Sequence, residues 1–254
     1  MGAVARPFIF AWHFLTTIPL SKVHHEPTAP ELAASMAWYS TIGLMLGGIL
    51  ALSDRWLNHI FAQEVVSICL IVLLVSLTRG LHQDGLADTV DGLAGGRTTA
   101  DRLSIMRDPR IGALGATGLF LSLLLRYAGL MALPQSLRVP VLICMPALGR
   151  CAMVALAWLA PYARADGGLA SPFLAHLSVW HVIGSTVVLT AALVIGLGVT
   201  VTVVTLIGCG LIITVVQAMC RAFFGGTTGD TLGATNEIVE ILFLLLMPLV
   251  LVLS

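Results

Sequence analysis

The longest apolar stretch of the chain, residues 179–219, contains no Asp, Glu, Lys or Arg. A helix needs about 20 apolar residues to cross a bilayer, so this stretch is long enough for two crossings. We place the division between them near Gly196 and Gly198, because glycine weakens a helix. Across the chain 58% of residues are hydrophobic and 10% are charged, whereas a soluble chain has about 25% charged residues. The sequence therefore predicts an all-α fold, a polytopic integral membrane helix bundle.

Hydropathy predicts about six or seven transmembrane helices, preceded by an N-terminal interfacial or re-entrant segment over residues 7–20. The spans are 32–52, 65–81, 111–133, 139–160, two within 179–219, and 238–253. With the N-terminus in the cytoplasm, most basic residues fall on the cytoplasmic side, as the positive-inside rule requires. These residues are Arg6, Lys22, Arg79, Arg97, Arg102, Arg107, Arg110, Arg164 and Arg221. The same orientation puts the two most polar segments, 79–112 and 221–240, on that side.

The net charge and the cysteine content of the chain limit which partners it can have. Thirteen basic and thirteen acidic residues cancel, so no excess positive charge attracts nucleic acid. Five cysteines lie in apolar runs without a CxxC motif, which predicts buried thiols rather than a zinc site. We expect one membrane-embedded domain over residues 1–254, with the lipid bilayer as its surroundings. Gly43, Gly47 and Gly48 allow helices to pack within or between chains, so homo-oligomerisation stays open.

Three carboxylates follow the predicted second span at positions i, i+4 and i+7: Asp84, Asp88 and Asp91. On an α-helix they fall within about 60° of one another and form one stripe. A divalent cation would neutralise their repulsion, and oxygen ligands favour Mg²⁺, Mn²⁺ or Ca²⁺ over zinc. We therefore predict that these residues bind metal and take part in catalysis; a solvated helix end is the alternative. His82 is a candidate base or second ligand, or else a structural hydrogen-bonding group.

Several arginines accompany these carboxylates. Arg102, Arg107 and Arg110 follow the acidic stripe on the same predicted side. Beside a carboxylate–metal cluster, arginine side chains recognise phosphate oxygens, although arginines at a membrane face also fix topology. Arg150 lies within the predicted fourth span, where it needs an acid, carbonyl groups or a bound phosphate as its partner. We predict that these four residues bind substrate phosphate.

The second polar segment, residues 221–240, is rich in glycine and threonine and predicts a loop before the last span. Backbone N–H groups of such a loop bind anions, so Thr228 and Gly229 are further candidates for phosphate binding. Asp230 and Glu237 are candidate metal ligands on the same side as the acidic stripe. An ordinary loop with a helix cap is the alternative.

These motifs together resemble those of the cobalamin 5′-phosphate synthases, also called adenosylcobinamide-GDP ribazoletransferases. The resemblance rests on four stretches in the family order and on Pro146-x₃-Arg150. The stretches are FLTTIP, HQDGLADTVDG, RLSIMRDPRIG and GGTTGDTLGATNE. Two positions depart from the family pattern: Gln83 stands where leucine is common, and Thr17 stands where arginine is common. We therefore assign no role to the N-terminal segment.

The resemblance implies a transferase of the bacterial inner membrane that requires Mg²⁺, as one or two ions. Its substrates are adenosylcobinamide-GDP and alpha-ribazole or alpha-ribazole 5′-phosphate, and it releases GMP. Five acidic residues stand at matching motif positions, and the resemblance implies that they are the functional acids of the site: Asp84, Asp88, Asp91, Asp230 and Glu237. Large polar substrates imply an active site that faces the cytoplasm, in agreement with the predicted orientation.

Two other functions compete with this one. Asp88-x-x-Asp91-Gly92 also resembles the opening of the CDP-alcohol phosphotransferase motif, but the remainder of that motif does not follow. A divalent-cation transporter would also use acidic residues in broken membrane helices. Its acids should lie near the middle of the bilayer, whereas most acids here lie at one predicted face beside arginines.

Overall fold

The computed structural model describes residues 5–20 and 26–253, with side chains to residue 249. Lys22, which the sequence assigns to the cytoplasmic side, lies outside the described residues. The helices are α1 (Ala5–Leu15), α2 (Ala29–Ser35), a 3₁₀ turn (Met36–Trp38), α3 (Tyr39–Leu57), α4 (Gln63–Leu77), α5 (Leu81–Gly95), α6 (Thr99–Ile105), α7 (Ala113–Ala132), α8 (Gln135–Leu159), α9 (Ser171–Leu174), α10 (Val179–Phe224) and α11 (Gly229–Leu253). The described ranges contain no β-strand, which confirms the predicted all-α class.

Five helical stretches are long and apolar enough to cross a membrane. They are Ala29–Leu57, Ala113–Ala132, Gln135–Leu159, Val179–Phe224 and Gly229–Leu249. Helix α4 is shorter, and it passes the same test only together with α5, from which it is bent by 89°. Helix α5 therefore lies across one end of the bundle instead of continuing α4.

Helix α10 is two membrane-length helices joined at Gly198. Its 46 residues would extend about 69 Å if straight, against a hydrocarbon core of about 30 Å. Gly198 has φ 82° and ψ 170°, a conformation that glycine adopts without steric cost. Contacts with α8 join Thr186 to Cys151, Gly196 to Pro140, and Gln217 to Leu159. The part of α10 before Gly198 therefore packs antiparallel to α8, and the part after Gly198 packs parallel to it. This arrangement confirms the predicted division near Gly196 and Gly198.

Several polar segments of the described chain meet at one end of the bundle, which we call the polar end. It carries α5, α6 and the connecting segments 160–178 and 225–228. Thr227 and Pro161 join the two segments, since the Thr227 N–H donates to the Pro161 carbonyl at 2.8 Å. At the opposite end, a buried ion pair joins Arg138 Nε to Asp54 Oδ1 at 2.7 Å. The segments gathered at the polar end are those that the sequence assigns to one side of the membrane.

The structure corrects two predicted boundaries. The second span ends at Leu77 instead of residue 81, because Arg79 and Gly80 form a left-handed turn with φ 56° and 65°. The last helix begins at Gly229 instead of residue 238, so the predicted glycine loop is only residues 225–228. Gly233 does not interrupt the helix. It lets α11 approach α5, since a Cβ there would lie 3.3 Å from the His82 Cα.

Helices α3 and α8 pack closely because glycines face α8. A Cβ on Gly47 would lie 2.2 Å from the Ile143 carbonyl oxygen, and one on Gly43 would lie 2.4 Å from the Ala147 Cα. By contrast, a Cβ on Gly48 would meet no atom within 4 Å. Two of the three glycines thus serve packing within the chain.

We predict opposite effects for two neighbouring glycine substitutions in α3. Gly47→Ala should destabilise the bundle by about 1–3 kcal/mol, because the added methyl group meets backbone that cannot move aside. Gly48→Ala is the matched control, and it should leave stability unchanged or raise it by up to about 1 kcal/mol, because alanine favours a helix. Denaturation of the purified protein in detergent measures both. Equal stability of the two variants would contradict this account of the α3–α8 contact.

Candidate active site

A buried network of two arginines and two glutamates lies beneath the polar end. Arg126 on α7 donates to Glu240 Oε2 and to Glu237 Oε2, each at 2.7 Å. Arg150 on α8 also pairs with Glu240, and it bonds the Asn236 Oδ1 at 3.2 Å. All four charged side chains are at most 1% exposed. The two positive and two negative charges balance, as buried charges require.

The network also holds α5. Gln83 Nε2 donates to Glu237 Oε1 at 3.1 Å, and Arg150 Nη2 lies 3.5 Å from His82 Nδ1. Gln83, which departs from the family pattern, thus holds a buried glutamate. Glu237 and Arg150, which the sequence proposes for metal and phosphate binding, have protein partners here. Arg126, which lies within the predicted third span, joins both glutamates of the network.

The acidic site lies on α5 and at the start of α11. Gly85 brings the helices together, since a Cβ there would lie 2.7 Å from the Asp230 carbonyl oxygen. Asp84 is exposed, while Asp88 and Asp230 are half-buried. The pKa of Asp88 rises to about 7, first because burial disfavours its charge and then because Asp84, Asp230 and Asp91 repel it. The structure thus brings together carboxylates from both polar segments of the sequence.

Arg164 is the cation beside this acidic site. Its Nη2 donates to Asp230 Oδ2 at 2.8 Å, and it partly offsets the repulsion that raises the pKa of Asp88. Arg164 lies in the segment between α8 and α10. The sequence assigned it only to the cytoplasmic side, because nothing in its local pattern indicates a partner 66 residues away.

Asp91 lies on the predicted acidic stripe, but its carboxylate accepts hydrogen bonds from the backbone at the start of α7. Its Oδ2 accepts from the Gly112 N–H and its Oδ1 from the Gly115 N–H, each at 2.7 Å. A carboxylate in this position satisfies free N–H groups at the start of α7 and interacts favourably with the helix dipole. Neither glycine could carry a side chain here, since a Cβ would lie within 2.4 Å of the Asp91 carboxylate.

The donor set of the acidic site suits Mg²⁺. Among the described residues, no three His, Cys, Asp or Glu side chains are close enough together to form a ready metal cage. Mg²⁺ rarely uses such a cage, because it keeps several waters and takes one or two carboxylates plus substrate phosphates. Asp84, Asp88 and Asp230 offer hard oxygen donors whose mutual repulsion a cation would relieve.

The arginines predicted to bind phosphate all lie at the polar end or beneath it. Arg102 stacks over the Phe223 ring, 5.0 Å from its centroid. Arg107 pairs with Asp166 at 2.6 Å, and Arg110 pairs with Asp108 at 2.6 Å. Hydrogen bonds from Arg110 lower the pKa of the Asp108 carboxyl to about 2. Arg107 and Arg110 are exposed, so their present partners do not prevent contact with an anion.

Thr228 caps the last helix. The Thr228 N–H donates to the Thr231 hydroxyl at 2.8 Å, and the Thr231 N–H donates to the Thr228 hydroxyl at 3.2 Å. The Thr228 hydroxyl also donates to Asp230 Oδ2 at 3.3 Å. Thr228 is fully buried and Gly229 half-buried. Thr228 therefore positions Asp230, and Gly229 begins the helix at the edge of the site.

Two cavities open beside Asp84. The smaller one, about 130 Å³, is lined by Asp84, Asp230 and His82 together with aromatic side chains. The larger one, about 780 Å³, lies on the other side of the start of α5 and is lined by Asp84, Arg79 and His13 among others. Asp84 lines both, so two ligands could meet at its carboxylate.

Fold and site define the class of protein: a polytopic helical membrane protein with an acidic site at one end of its bundle. The sequence model of the Cobalamin-5-phosphate synthase family matches residues 7–248. The chain therefore belongs to this family, which confirms the resemblance of its motifs.

Curated relatives named adenosylcobinamide-GDP ribazoletransferase align with nearly the whole chain. The relative from Syntrophobacter fumaroxidans is 37% identical over 92% of this chain and 94% of its own length. The relative from Desulforamulus reducens is 36% identical over 92% and 93%, and that from Ectopseudomonas mendocina is 37% identical over 94% and 97%. No solved structure matches the chain. Family and relatives support a transferase of cobalamin synthesis.

The buried network predicts a large effect of one substitution. Glu240→Gln should destabilise the protein by about 3–5 kcal/mol, because it leaves two buried arginines sharing one carboxylate. Arg110→Ala, which breaks an exposed pair, should leave the melting temperature nearly unchanged. Thermal denaturation in detergent compares the two variants with the wild type. A Glu240→Gln protein as stable as the wild type would show that the network contributes little.

Proposed function

We propose that this protein transfers the adenosylcobinamide-phosphate moiety of adenosylcobinamide-GDP to alpha-ribazole or alpha-ribazole 5′-phosphate, releases GMP, and depends on Mg²⁺. The observation that carries the proposal is the acidic site of Asp84, Asp88 and Asp230, whose charges interact. Asp84 and Asp230 line the smaller cavity, and Asp84 also lines the larger one. The family and the names of the relatives supply the substrate class.

The reaction is a phosphoryl transfer. A ribose hydroxyl of the acceptor forms a new bond to the cobinamide-side phosphorus, the bond from that phosphorus to the bridging oxygen breaks, and GMP leaves with the bond electrons. The hydroxyl proton passes to a base at the site, for which a carboxylate of the acidic site is available. Such a reaction needs positioning and charge neutralisation more than covalent catalysis.

Asp84, Asp88 and Asp230 are the residues that would hold Mg²⁺, as one or two ions. When bound, the metal supplies positive charge against the pyrophosphate and the leaving GMP. Asp91 and Glu237 support this site from outside it: the Asp91 carboxylate fixes the start of α7, and Glu237 holds α5 through Gln83.

Arginines at the polar end are suited to the non-reacting phosphate oxygens. Arg107 and Arg110 are exposed, and Arg164 already touches the acidic site. A guanidinium forms paired hydrogen bonds with a phosphate, so each of these arginines can exchange its carboxylate partner for substrate. Arg150, held by Glu240, positions His82 and the network instead.

The proposed location is the bacterial inner membrane, with the polar end facing the cytoplasm. Both substrates are large and polar, and neither crosses a bilayer unaided. The excess of arginine at the polar end agrees with this orientation.

We predict that the acidic site is required for turnover. Purified protein with adenosylcobinamide-GDP, alpha-ribazole 5′-phosphate and Mg²⁺ should release GMP, and removal of the metal with EDTA should stop the release. Asp84→Asn and Asp88→Asn should each lower kcat at least about 100-fold, because charge stabilisation of this kind contributes at least that factor. Glu64→Gln, the same change on an exposed acid at the opposite end, is the matched control.

Normal GMP release by both aspartate variants would refute the assignment of the site. Absence of GMP release by the wild type, together with divalent-cation flux into liposomes, would favour the transporter instead.

The orientation is testable by cysteine labelling. Ala165→Cys at the polar end and Asn58→Cys at the opposite end both introduce exposed thiols. In intact cells a membrane-impermeant maleimide should label Asn58→Cys and spare Ala165→Cys, and inverted vesicles should reverse the pattern. The reverse result in cells would show that the polar end faces outward.

A further inference from the structure

The smaller cavity at the polar end has an aromatic wall. Phe14 lies with its ring centroid 4.7 Å from that of Phe173 and 6.4 Å from that of Tyr39, to which it is nearly parallel. Met36, Met153 and other apolar side chains complete the wall. These residues come from α1, α3, α8, α9 and the turn before α3, so the cavity is built by the fold and not by one loop.

Three residues that line this cavity, His82, Tyr162 and Arg164, each have a buried polar atom without a hydrogen-bond partner. Of the three, His82 belongs to α5, next to Asp84. His82 is 1% exposed and lines the cavity, and its Nε2 forms no hydrogen bond. On the other side of the ring, Nδ1 faces Arg150 Nη2 at 3.5 Å. A guanidinium only donates hydrogen bonds, so Nδ1 is the acceptor and the ring proton is on Nε2. His82 therefore has a buried N–H group without a partner at the lining of this cavity, and such unpaired buried groups are rare.

The size and lining of the cavity select a flat, mainly apolar ring. Its volume is about 130 Å³, slightly below the roughly 150 Å³ of an apolar cavity that binds benzene, so a larger ring would extend toward the open side of the cavity. A base with a single ring-nitrogen acceptor would satisfy the His82 N–H and leave no polar group against the aromatic wall. Guanine carries several donors and acceptors, and those placed against the aromatic wall would lose their hydrogen bonds.

We propose that the smaller cavity binds the flat aromatic base of the acceptor nucleoside, and that His82 Nε2 donates a hydrogen bond to its ring nitrogen. This inference rests on the proposed function for the identity of the acceptor. It makes His82 a binding residue instead of the base that takes the hydroxyl proton. The attached ribose then leaves the cavity beside Asp84, which also lines the larger cavity. The larger cavity remains for the donor.

A cavity-filling pair of variants tests the location. Leu174→Trp fills the smaller cavity, and Ile212→Trp makes a similar change in a separate cavity between α8, α10 and α11. Binding of labelled alpha-ribazole 5′-phosphate to the detergent-purified protein is measured without the donor, and KM values for both substrates are measured by GMP release. Leu174→Trp should weaken acceptor binding at least tenfold and leave the KM for adenosylcobinamide-GDP unchanged. Ile212→Trp should change neither.

The role of His82 is tested by changing the residue and the acceptor's ring nitrogen, singly and together. The acceptor is compared with an analogue in which CH replaces the accepting ring nitrogen. The wild type should prefer the natural acceptor by roughly fivefold to tenfold, the contribution of one hydrogen bond. His82→Leu should bind both equally, with its main effect on the acceptor KM. A preference that persists in His82→Leu, or a lower kcat at an unchanged KM, would overturn the assignment; thermal denaturation checks that the variant is folded.

The outcomes separate this inference from the proposed function. If the wild type binds alpha-ribazole 5′-phosphate in the smaller cavity but releases no GMP, the proposed function fails and the cavity assignment stands. If GMP release is normal and Leu174→Trp leaves the acceptor KM unchanged, the cavity assignment fails alone. Weaker GMP binding in Leu174→Trp, with acceptor binding intact, would show that the cavity holds guanine.

Discussion

The buried Arg–Glu network is the interaction on which the arrangement of the polar end depends. The network connects α7, α8 and α11 through Arg126, Arg150, Glu237 and Glu240, whose side chains are at most 1% exposed. Charges buried this way cost much desolvation energy, so they are retained only where every partner is present. Here the network fixes the position of α5 through Gln83 and His82. The acidic stripe on α5 therefore has one defined position over the bundle.

The acidic site differs from this network because its charges are not balanced. Asp84 and Asp230 repel Asp88, and Arg164, which pairs with Asp230, offsets this repulsion only in part. Such a site costs stability, and it persists because the packing around it holds the carboxylates in place. Close contacts at Gly85 and Gly233 bring α5 and α11 together against that repulsion. The network thus holds the helices in place, and the acidic site, where we propose that the chemistry occurs, lies closer to the polar end.

The sequence predicts the spans well, and also which polar segments lie at the same end of the bundle, because hydropathy and charge are properties of local segments. The division at Gly198 and the gathering of 79–112 and 221–240 at one end were both predicted. Partners far apart in the chain were not: Arg126 joins a glutamate 111 residues away, and no local pattern records that distance. The sequence also does not show which structural role a given glycine has. At Gly198 it bends the chain, whereas at Gly233 it permits close packing inside a helix, and one sequence cannot separate these two uses.

We propose that a divalent cation binds between α5 and α11 at Asp84, Asp88 and Asp230. An experimental structure with Mn²⁺ and a non-hydrolysable analogue of adenosylcobinamide-GDP, with the metal located by its anomalous scattering, tests it directly. The account predicts Mn²⁺ in contact with these carboxylates and with pyrophosphate oxygens, with Glu237 and Glu240 still paired to Arg126. Mn²⁺ bound at Glu237 and Glu240, or a pyrophosphate bound away from Asp84, would contradict it.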